Sequence, residues 1–584
     1  MSLNTEKQNL HELRSRIKDH ISKIYPEEDH IAICEKIIRL MNYENSFYQA
    51  KQHTNLWSEN DIVTITYGDS IKQDNIFPLS TLHKFFNDNL KEVISTIHIL
   101  PFYPYSSDDG FSVINYSEVN QTLGGWHQIT EISTDFSLMA DLVINHCSSR
   151  SLWFDNYKQG KHPGADYFIE ANPDDDISEV VRPRTSPLLR ETETLDGKKH
   201  VWCTFSHDQI DLNFKNPKVL LEFIKIIKLY LDNGISLFRL DAVAFLWKQT
   251  GTPSINLTET HEVIRLLRLL IEHANPKAIV ITETNIPNKE NLSYFGNANE
   301  AHLIYNFTLP PLILYTLLSG ESSLIKQWLM SMPPAQNGTS YFNFIASHDG
   351  IGMRPVEGIL DDSTVDQLAG LMQEFGGDVS WRTMPDGQHR PYELNISLID
   401  AMKGTFEGED QYQVGRFICA HAIMIALEGV PGIYIHSLFG TSNDHQKMDL
   451  TSNKRAINRH NWDYDELNAH LSNDASTHKK IFDKLKNILA IRKNQAAFHP
   501  NATQFTLHFD TALFAFWRQS QDRSQSIFCI YNVTNKTQTI ALKDVNLIEL
   551  DDWHDLISHY NYGDPRENIT LEPYDFVWIS NKHS

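Results

Sequence analysis

The sequence predicts an α/β protein: a (β/α)8 TIM barrel with inserted loop subdomains and a C-terminal antiparallel β-domain. Three observations point there. Eight short apolar or β-branched runs, each closed by polar residues, alternate with stretches of helical periodicity through the middle of the chain. Two of the connections between them are too long for ordinary loops. From about residue 503 the pattern changes to the alternation of half-buried strands (FTLHFDTALFAFWRQ, SIFCIYNVT, TQTIALKD, DFVWIS).

Taken in order, residues 1–58 read as a helical extension, with apolar positions Ile31, Ile33, Ile37, Ile38 and Leu40. The barrel spans 59–502, with strands expected at 62–67, 94–100, 138–145, 236–241, 278–284, 303–307, 341–347 and 432–436. Its long excursions are 147–215, rich in Pro, Asp and Arg, and 353–405; loops of that size form lids or subdomains. Residues 503–584 make the C-terminal β-domain. No repeat of 20 to 50 residues and no low-complexity segment is visible.

Composition narrows the function classes. Lys and Arg number 51 against 74 Asp and Glu, a formal charge of −23, which makes nucleic acid and anionic membrane surfaces poor partners. With 41% hydrophobic and 11% aromatic residues the chain is too apolar to be disordered. The five cysteines (Cys34, Cys147, Cys203, Cys419, Cys529) are scattered and form no CxxC pair, so they read as buried thiols of a reducing compartment. No signal peptide or spanning segment is visible, and a cytoplasmic location is expected. No metal or other cofactor is expected either; Asp174 to Asp176 read as a solvated loop. Nothing in the sequence fixes the oligomeric state.

In such a barrel, catalytic groups gather at the C-terminal strand ends, where Asn145, His146, Asp241, Glu283, His348 and Asp349 fall. Arg239 and Asp241 are two apart on one strand and face the same way, so the guanidinium is expected to keep the carboxylate ionised, as a nucleophile requires. Glu283 closes the neighbouring strand. Two carboxylates about 5 Å apart on opposite sides of a sugar acetal are the retaining arrangement of glycoside chemistry. Each feature alone has a plainer reading: Arg239 with Asp241 as a structural salt bridge, Glu283 as a surface ion-pair partner, His348 with Asp349 as loop polarity.

DLVINH (141–146), FRLDAVAF (238–245), ITETN (281–285) and FIASHDG (344–350) resemble, in order and spacing, the four sequence regions of the α-amylase superfamily, glycoside hydrolase family 13. PFYPYSSDDGFSVINY, VRPR, WCTFSHDQIDLN, YIHSLFGTSND and NKRAINRHNW narrow the likeness to the sucrose phosphorylase branch, with its relatives acting on glucosylglycerate, glucosylglycerol or sucrose 6'-phosphate. The resemblance covers about 60–584. It implies Asp241 as nucleophile, Glu283 as general acid/base and Asp349 as transition-state stabiliser. Asp109, His146, Gln209, Arg239, His348 and Arg455 would surround the glucose, and Phe205 would be an aromatic platform. It further implies Arg184 as a phosphate ligand, beside Arg182 and Arg190 in VRPRTSPLLR.

The resemblance thus implies a retaining glycoside phosphorylase, a hexosyltransferase. It would move glucose from sucrose or a related short α-glucoside to inorganic phosphate through a covalent glucosyl-enzyme. A retaining α-glucosidase or transglucosidase would use the same carboxylates, and a noncatalytic carbohydrate-binding or interaction domain could keep the barrel. Phe245 stands where sucrose phosphorylases carry Tyr, and the stretch after Asn285 looks closer to the glucosylglycerate branch. A cation from the second excursion (Arg354, Arg382 or Arg390) facing the acceptor site would favour glycerate, and a neutral pocket fructose or glycerol.

Overall fold

The computed structural model describes residues 3–45, 54–184, 186–383, 388–545, 553–564 and 566–582. Parts of the expected N-terminal extension, of both excursions and of the C-terminal region therefore lie outside the described residues.

Eight parallel strands close into a barrel in sequence order: β1 (Val63–Thr66), β2 (Thr96–Ile99), β3 (Ser137–Val143), β4 (Ile235–Asp241), β5 (Ile279–Thr282), β6 (Leu303–Tyr305), β7 (Ser340–Asn343) and β8 (Val430–Tyr434). Each falls in or overlaps an expected run. They read as continuous apolar stretches because helices cover one face and packed side chains fill the other, so both sides of the sheet are dry. Closure is parallel as well, with Val63 opposite Gly432. Two registers matter for the site: Val143 lies opposite Asp241, and Leu240 opposite Thr282. Asp241 and Glu283 therefore leave the barrel side by side at one rim.

Helix α1 (Leu3–Ile24) buries Leu13, Ile17, Ile21 and Ile24, a single stripe at helical spacing. Helix α2 (His30–Leu40) begins at Asp29, whose side chain accepts from the amides of Ile31 and Ala32, and it buries Ile33, Cys34, Ile37 and Ile38. Ile31, expected on the apolar face, is exposed because it occupies the first turn on the solvent side. The pair braces the helices Pro217–Asp232 and Thr258–Ala274, which precede β4 and β5. His20 meets Glu262 at 2.7 Å and the Tyr25 hydroxyl donates to the carbonyl of Phe214 at 2.8 Å.

The first excursion holds a short helix (Leu152–Lys158) and a hairpin (Leu189–Thr194 with Gly197–Trp202). The second holds the helix Asp362–Glu374 and a hairpin (Asp378–Thr383 with His389–Asn395). Among the described C-terminal residues, β9 (Thr503–Thr506), β10 (Leu513–Gln519), β11 (Ser526–Asn532), β13 (Trp553–Asp555), β14 (Asn561–Tyr562) and β16 (Phe576–Ser580) form an antiparallel sheet ordered 9-10-11-16-13-14. Strands β12 (Gln538–Ala541) and β15 (Asn568–Leu571) pair separately. Among the described residues, no helix is long and apolar enough to cross a membrane. The five cysteines are buried and unpaired.

Two buried arginines tie segments together through carbonyl oxygens, Arg492 within the barrel region and Arg518 between the C-terminal sheet and the barrel. Arg492 donates to the carbonyls of Glu59, Ile425, Gly429 and Phe498, and Arg518 to those of Ala426, His499 and Ala502. Replacing Arg492 by Met leaves several buried acceptors unpaired, at a cost of about 3 kcal/mol. Urea unfolding followed by tryptophan fluorescence should show an earlier midpoint than wild type.

Candidate active site

A cavity of about 770 Å³, including its open mouth, lies at the C-terminal rim of the barrel. Asp241, Glu283 and Asp349 all line it, together with His146, Phe205, Gln209, His348, Arg455 and Arg184. Side chains distant in sequence, from four strand ends and both excursions, are thus brought to one hollow.

The site is organised around Arg239. Its guanidinium is 1% exposed and lies behind the cavity wall. Nη1 bonds to Asp141 on β3 and to Asp241 Oδ1 at 2.6 Å, and Nη2 lies 3.9 Å from Glu283 Oε1. Asp141 is held in turn by His98 Nε2 at 2.7 Å. After Asp241 the chain turns through Ala242, whose left-handed φ of 51° aims its amide back at Glu283 Oε2, 2.9 Å away. A non-glycine residue in that region is strained, and such strain is held only where surrounding contacts over-determine it.

Burial pushes both the Asp241 and Glu283 carboxyls above their ordinary range, each carboxylate adding to the field of its neighbours, while Arg239 opposes the shift. This differs from the sequence expectation, in which the arginine alone set the ionisation of Asp241: desolvation cannot be read from a two-residue spacing. The two groups act as one titrating unit. The direct contact of Arg239 with Asp241, against the longer reach to Glu283, directs a shared proton to Glu283. Asp349 differs. Burial would raise its carboxyl too, but Arg455, bonded at 2.6 Å, and the neighbouring His348, Arg459 and Arg239 hold it well below the usual carboxylate range. Burial keeps His146 and His348 neutral by lowering their pKa values.

The walls are built from a few locked contacts. His348 stacks on Phe111, with centroids 4.9 Å apart and planes at 4°. His146 Nε2 and Gln209 Nε2 both reach the carbonyl of Phe111, at 2.9 and 3.2 Å. Phe205 packs edge-on against Phe245, 5.5 Å between centroids, so the residue that replaces a tyrosine forms an apolar wall.

Two expected residues are not where the resemblance put them: Arg239 stands behind the wall, holding carboxylates rather than lining the cavity, and Asp109 points elsewhere. Asp109 does not line the cavity; its carboxylate turns to Arg459 at 2.6 Å, and Asp108 faces the cavity instead. Both sit in the short turn Asp108–Gly110 at left-handed φ values of 54° and 46°, where consecutive side chains diverge. Gly110, at φ 114°, lets the turn close on Pro101, whose carbonyl oxygen would lie 2.6 Å from a Cβ.

Several site residues escaped the sequence reading. Arg459 donates to the carbonyl of His348 at 2.8 Å as well as to Asp109. Glu393, on the second-excursion hairpin, lines the cavity and receives Arg455 through Nε and Nη2 at 3.0 and 2.8 Å. Asp141 sat in the quoted DLVINH run without a role. The available signal was the two-residue spacing of Asp141 and Val143 on a strand facing Arg239, and the presence of Arg459 in the same NKRAINRHNW segment as Arg455. Of the three second-excursion cations, Arg354 lines the cavity, whereas Arg382 pairs with Glu357 and Arg390 with Asp362. Arg182 and Arg190 do not line it; Arg190 donates to the carbonyl of His207. The acidic run 174–176 folds onto its own loop, Asp175 accepting from the amide of Asn172 and Asp176 from Ser178. Among the described residues no group of three or more His, Cys, Asp or Glu is arranged to hold a metal ion.

Comparison with known proteins gives the family of this chain. The alpha-amylase catalytic-domain family matches residues 88–353. Among curated proteins, the glucosylglycerate phosphorylase of Spirochaeta thermophila is 40% identical over 528 residues, covering 89% of this chain and 90% of that one. The glucosylglycerate phosphorylase of Escherichia coli is 37% identical over 573 residues, 97% of this chain and all of its own length. Among solved structures, the sucrose 6F-phosphate phosphorylase of Thermoanaerobacter thermosaccharolyticum superposes with a TM-score of 0.70 at 24% identity, covering 81% of this chain and 94% of that one.

The upward shift at Glu283 has a measurable sign. A carboxyl whose folded pKa exceeds its unfolded value stabilises the protein fully below the unfolded value, and the contribution is lost as pH rises through the folded one. Glu283→Gln keeps an acceptor for the Ala242 amide but cannot ionise. Thermal unfolding should therefore show the variant gaining on wild type at pH 8, with a smaller difference at pH 4.

Proposed function

This chain belongs to the alpha-amylase family, in its sucrose phosphorylase-like branch, and on that basis we propose a retaining glucosyl phosphorylase whose donor is a glucosylglycerate. It gives α-glucose 1-phosphate. The observation that carries the reading is a single cavity in which Asp241, Glu283 and Asp349 meet Arg184, a half-buried guanidinium with no acid partner among the described residues. Long glucosylglycerate phosphorylase relatives support the donor.

In the first half-reaction Asp241 attacks the anomeric carbon. The bond from that carbon to the glycerate oxygen breaks, and Glu283 delivers its proton to that oxygen, leaving a glucosyl ester on Asp241. Asp349, kept ionised by Arg455, accepts hydrogen bonds from sugar hydroxyls and offsets positive charge developing on the ring. Ester formation removes the negative charge on Asp241. Glu283 then no longer faces that neighbouring negative charge, so its proton affinity falls and it is left as the base needed next. In the second half-reaction a phosphate oxygen attacks the anomeric carbon from the face the glycerate left. The ester bond breaks, Asp241 recovers its charge, and the phosphate proton returns to Glu283. Two inversions give net retention.

The acceptor decides between phosphorolysis and hydrolysis. In a chain of charge −23, a phosphate dianion enters a carboxylate-lined site only if local cations offset the field, and a guanidinium suits its geometry. Arg184 fills that role, its Cζ 5.6 Å from the ring of Tyr392. Five reduced, buried cysteines and the use of inorganic phosphate support a cytoplasmic location, and the acidic surface argues against nucleic-acid partners.

Incubation of glucosylglycerate with and without phosphate separates the readings. Glucose 1-phosphate formed only with phosphate is the expected result; free glucose released equally under both conditions identifies an α-glucosidase. Asp241→Asn should lose at least about four orders of magnitude in turnover. Arg184→Gln should lose phosphorolysis by about 10²-fold while hydrolysis of the ester continues, seen as a rising ratio of glucose to glucose 1-phosphate.

A further inference from the structure

The glucose-binding end of the cavity and the phosphate ligand leave one charged group unaccounted for. We infer that Arg354 is a specificity-determining residue that holds the carboxylate of the three-carbon acid, both as it leaves and when it acts as acceptor. This rests on the donor proposed above.

The cations around the cavity can be sorted by what they already neutralise. Arg239 is committed to Asp141 and Asp241, Arg455 to Asp349 and Glu393, and Arg459 to Asp109. Arg382 and Arg390, equally plausible from sequence, are paired with Glu357 and Asp362 and do not line the cavity. Arg354 does line it, is half-buried, and has no acid partner among the described residues. Its Nε is buried and makes no hydrogen bond. Leaving a guanidinium partly desolvated and unpaired is unfavourable unless an anion completes it.

Its position suits a leaving-group contact. Arg354 opens the turn Arg354–Val356, five residues after Asp349, so the loop that supplies one catalytic carboxylate also supplies this guanidinium. Tyr392 lines the same cavity, with the Arg184 Cζ 5.6 Å from its ring, so both unpaired cations border one hollow with it. A glycerate carboxylate lies within a few bonds of the glycosidic oxygen, and the phosphorus of an attacking phosphate is bonded directly to its own attacking oxygen. Both anions therefore need positive charge in nearly the same region. A carboxylate entering among Asp108, Asp241, Glu283 and Glu393 is repelled unless such a cation receives it, whereas glycerol or fructose needs none.

The test uses the full-length enzyme with glucose 1-phosphate as donor and glycerate or glycerol as separate acceptors, measuring phosphate release. Both acceptors attack the same glucosyl-enzyme, so the ratio of their kcat/KM values cancels effects on donor cleavage and on the fraction of folded protein. Wild type should favour glycerate. Arg354→Gln should lower the glycerate-to-glycerol ratio about 100-fold, and Arg354→Lys, which keeps charge but not the planar fork, about tenfold. Arg390→Gln should leave the ratio where it was. A ratio unchanged in both Arg354 variants overturns this inference while the donor assignment stands. A wild-type enzyme that uses glycerate no better than glycerol overturns the donor assignment, and this inference with it.

Discussion

A single buried guanidinium sets the terms for the rest of the molecule. Arg239 is out of contact with water, and an isolated charge there would cost far more than the fold could supply. It is tolerable because β3 brings Asp141 and β4 brings Asp241 to the same nitrogen, with Glu283 from β5 within reach. The requirement runs backwards into the architecture. A shift of one residue between β3 and β4 would turn one carboxylate away from the arginine and leave the charge uncompensated. The ion pairs that prepare the chemistry therefore also select the strand register, and the His98 contact to Asp141 extends the same network to β2.

Much of the barrel was legible because its physics is local. A strand dry on both faces is mostly apolar or β-branched, with buried polar residues only where partners meet them, and a strand end facing a shared mouth can be polar, so eight runs and their closing residues stand out against the helices. Asp241 and Glu283 were legible for the same reason, lying at strand ends, whereas Asp349 follows β7 by six residues and stood out by its place in the FIASHDG run. Asp108 and Asp109 were not separable, since two identical neighbours differ only in where a left-handed turn points them. Arg459 and Glu393 were missed because their partners lie hundreds or tens of residues away, on loops whose pairing has no periodic signature. The excursions were recognised by length, the first also by its Pro, Asp and Arg content; their hairpins follow no clean alternation. Burial of the Asp241 and Glu283 pair, which decides their ionisation, is a property of the assembled cavity and has no trace in spacing.

Support for the rim comes from opposite ends of the chain. Helices α1 and α2 press on the helices that lead into β4 and β5, the strands bearing Asp241 and Glu283. At the other end, Arg518 on β10 donates to the carbonyls of Ala426, His499 and Ala502 with no acidic partner in direct contact among the described residues, so this attachment of the C-terminal sheet is made of backbone acceptors rather than ion pairs. Such bonds are insensitive to the titration of surface carboxylates. The seam should keep its hydrogen bonds across the pH range in which Asp241 and Glu283 change charge.

The ring of Phe245, set edge-on to Phe205, bears on how long a glucosyl ester survives between its two fates. A solvent molecule is oriented for attack only where two or more polar groups hold it. A phenyl surface offers none, so that wall gives water nothing to hold it in an attacking pose. A bare hydrocarbon edge can thus extend an intermediate's lifetime, giving patience to an enzyme that must wait for a scarcer reactant than its own solvent.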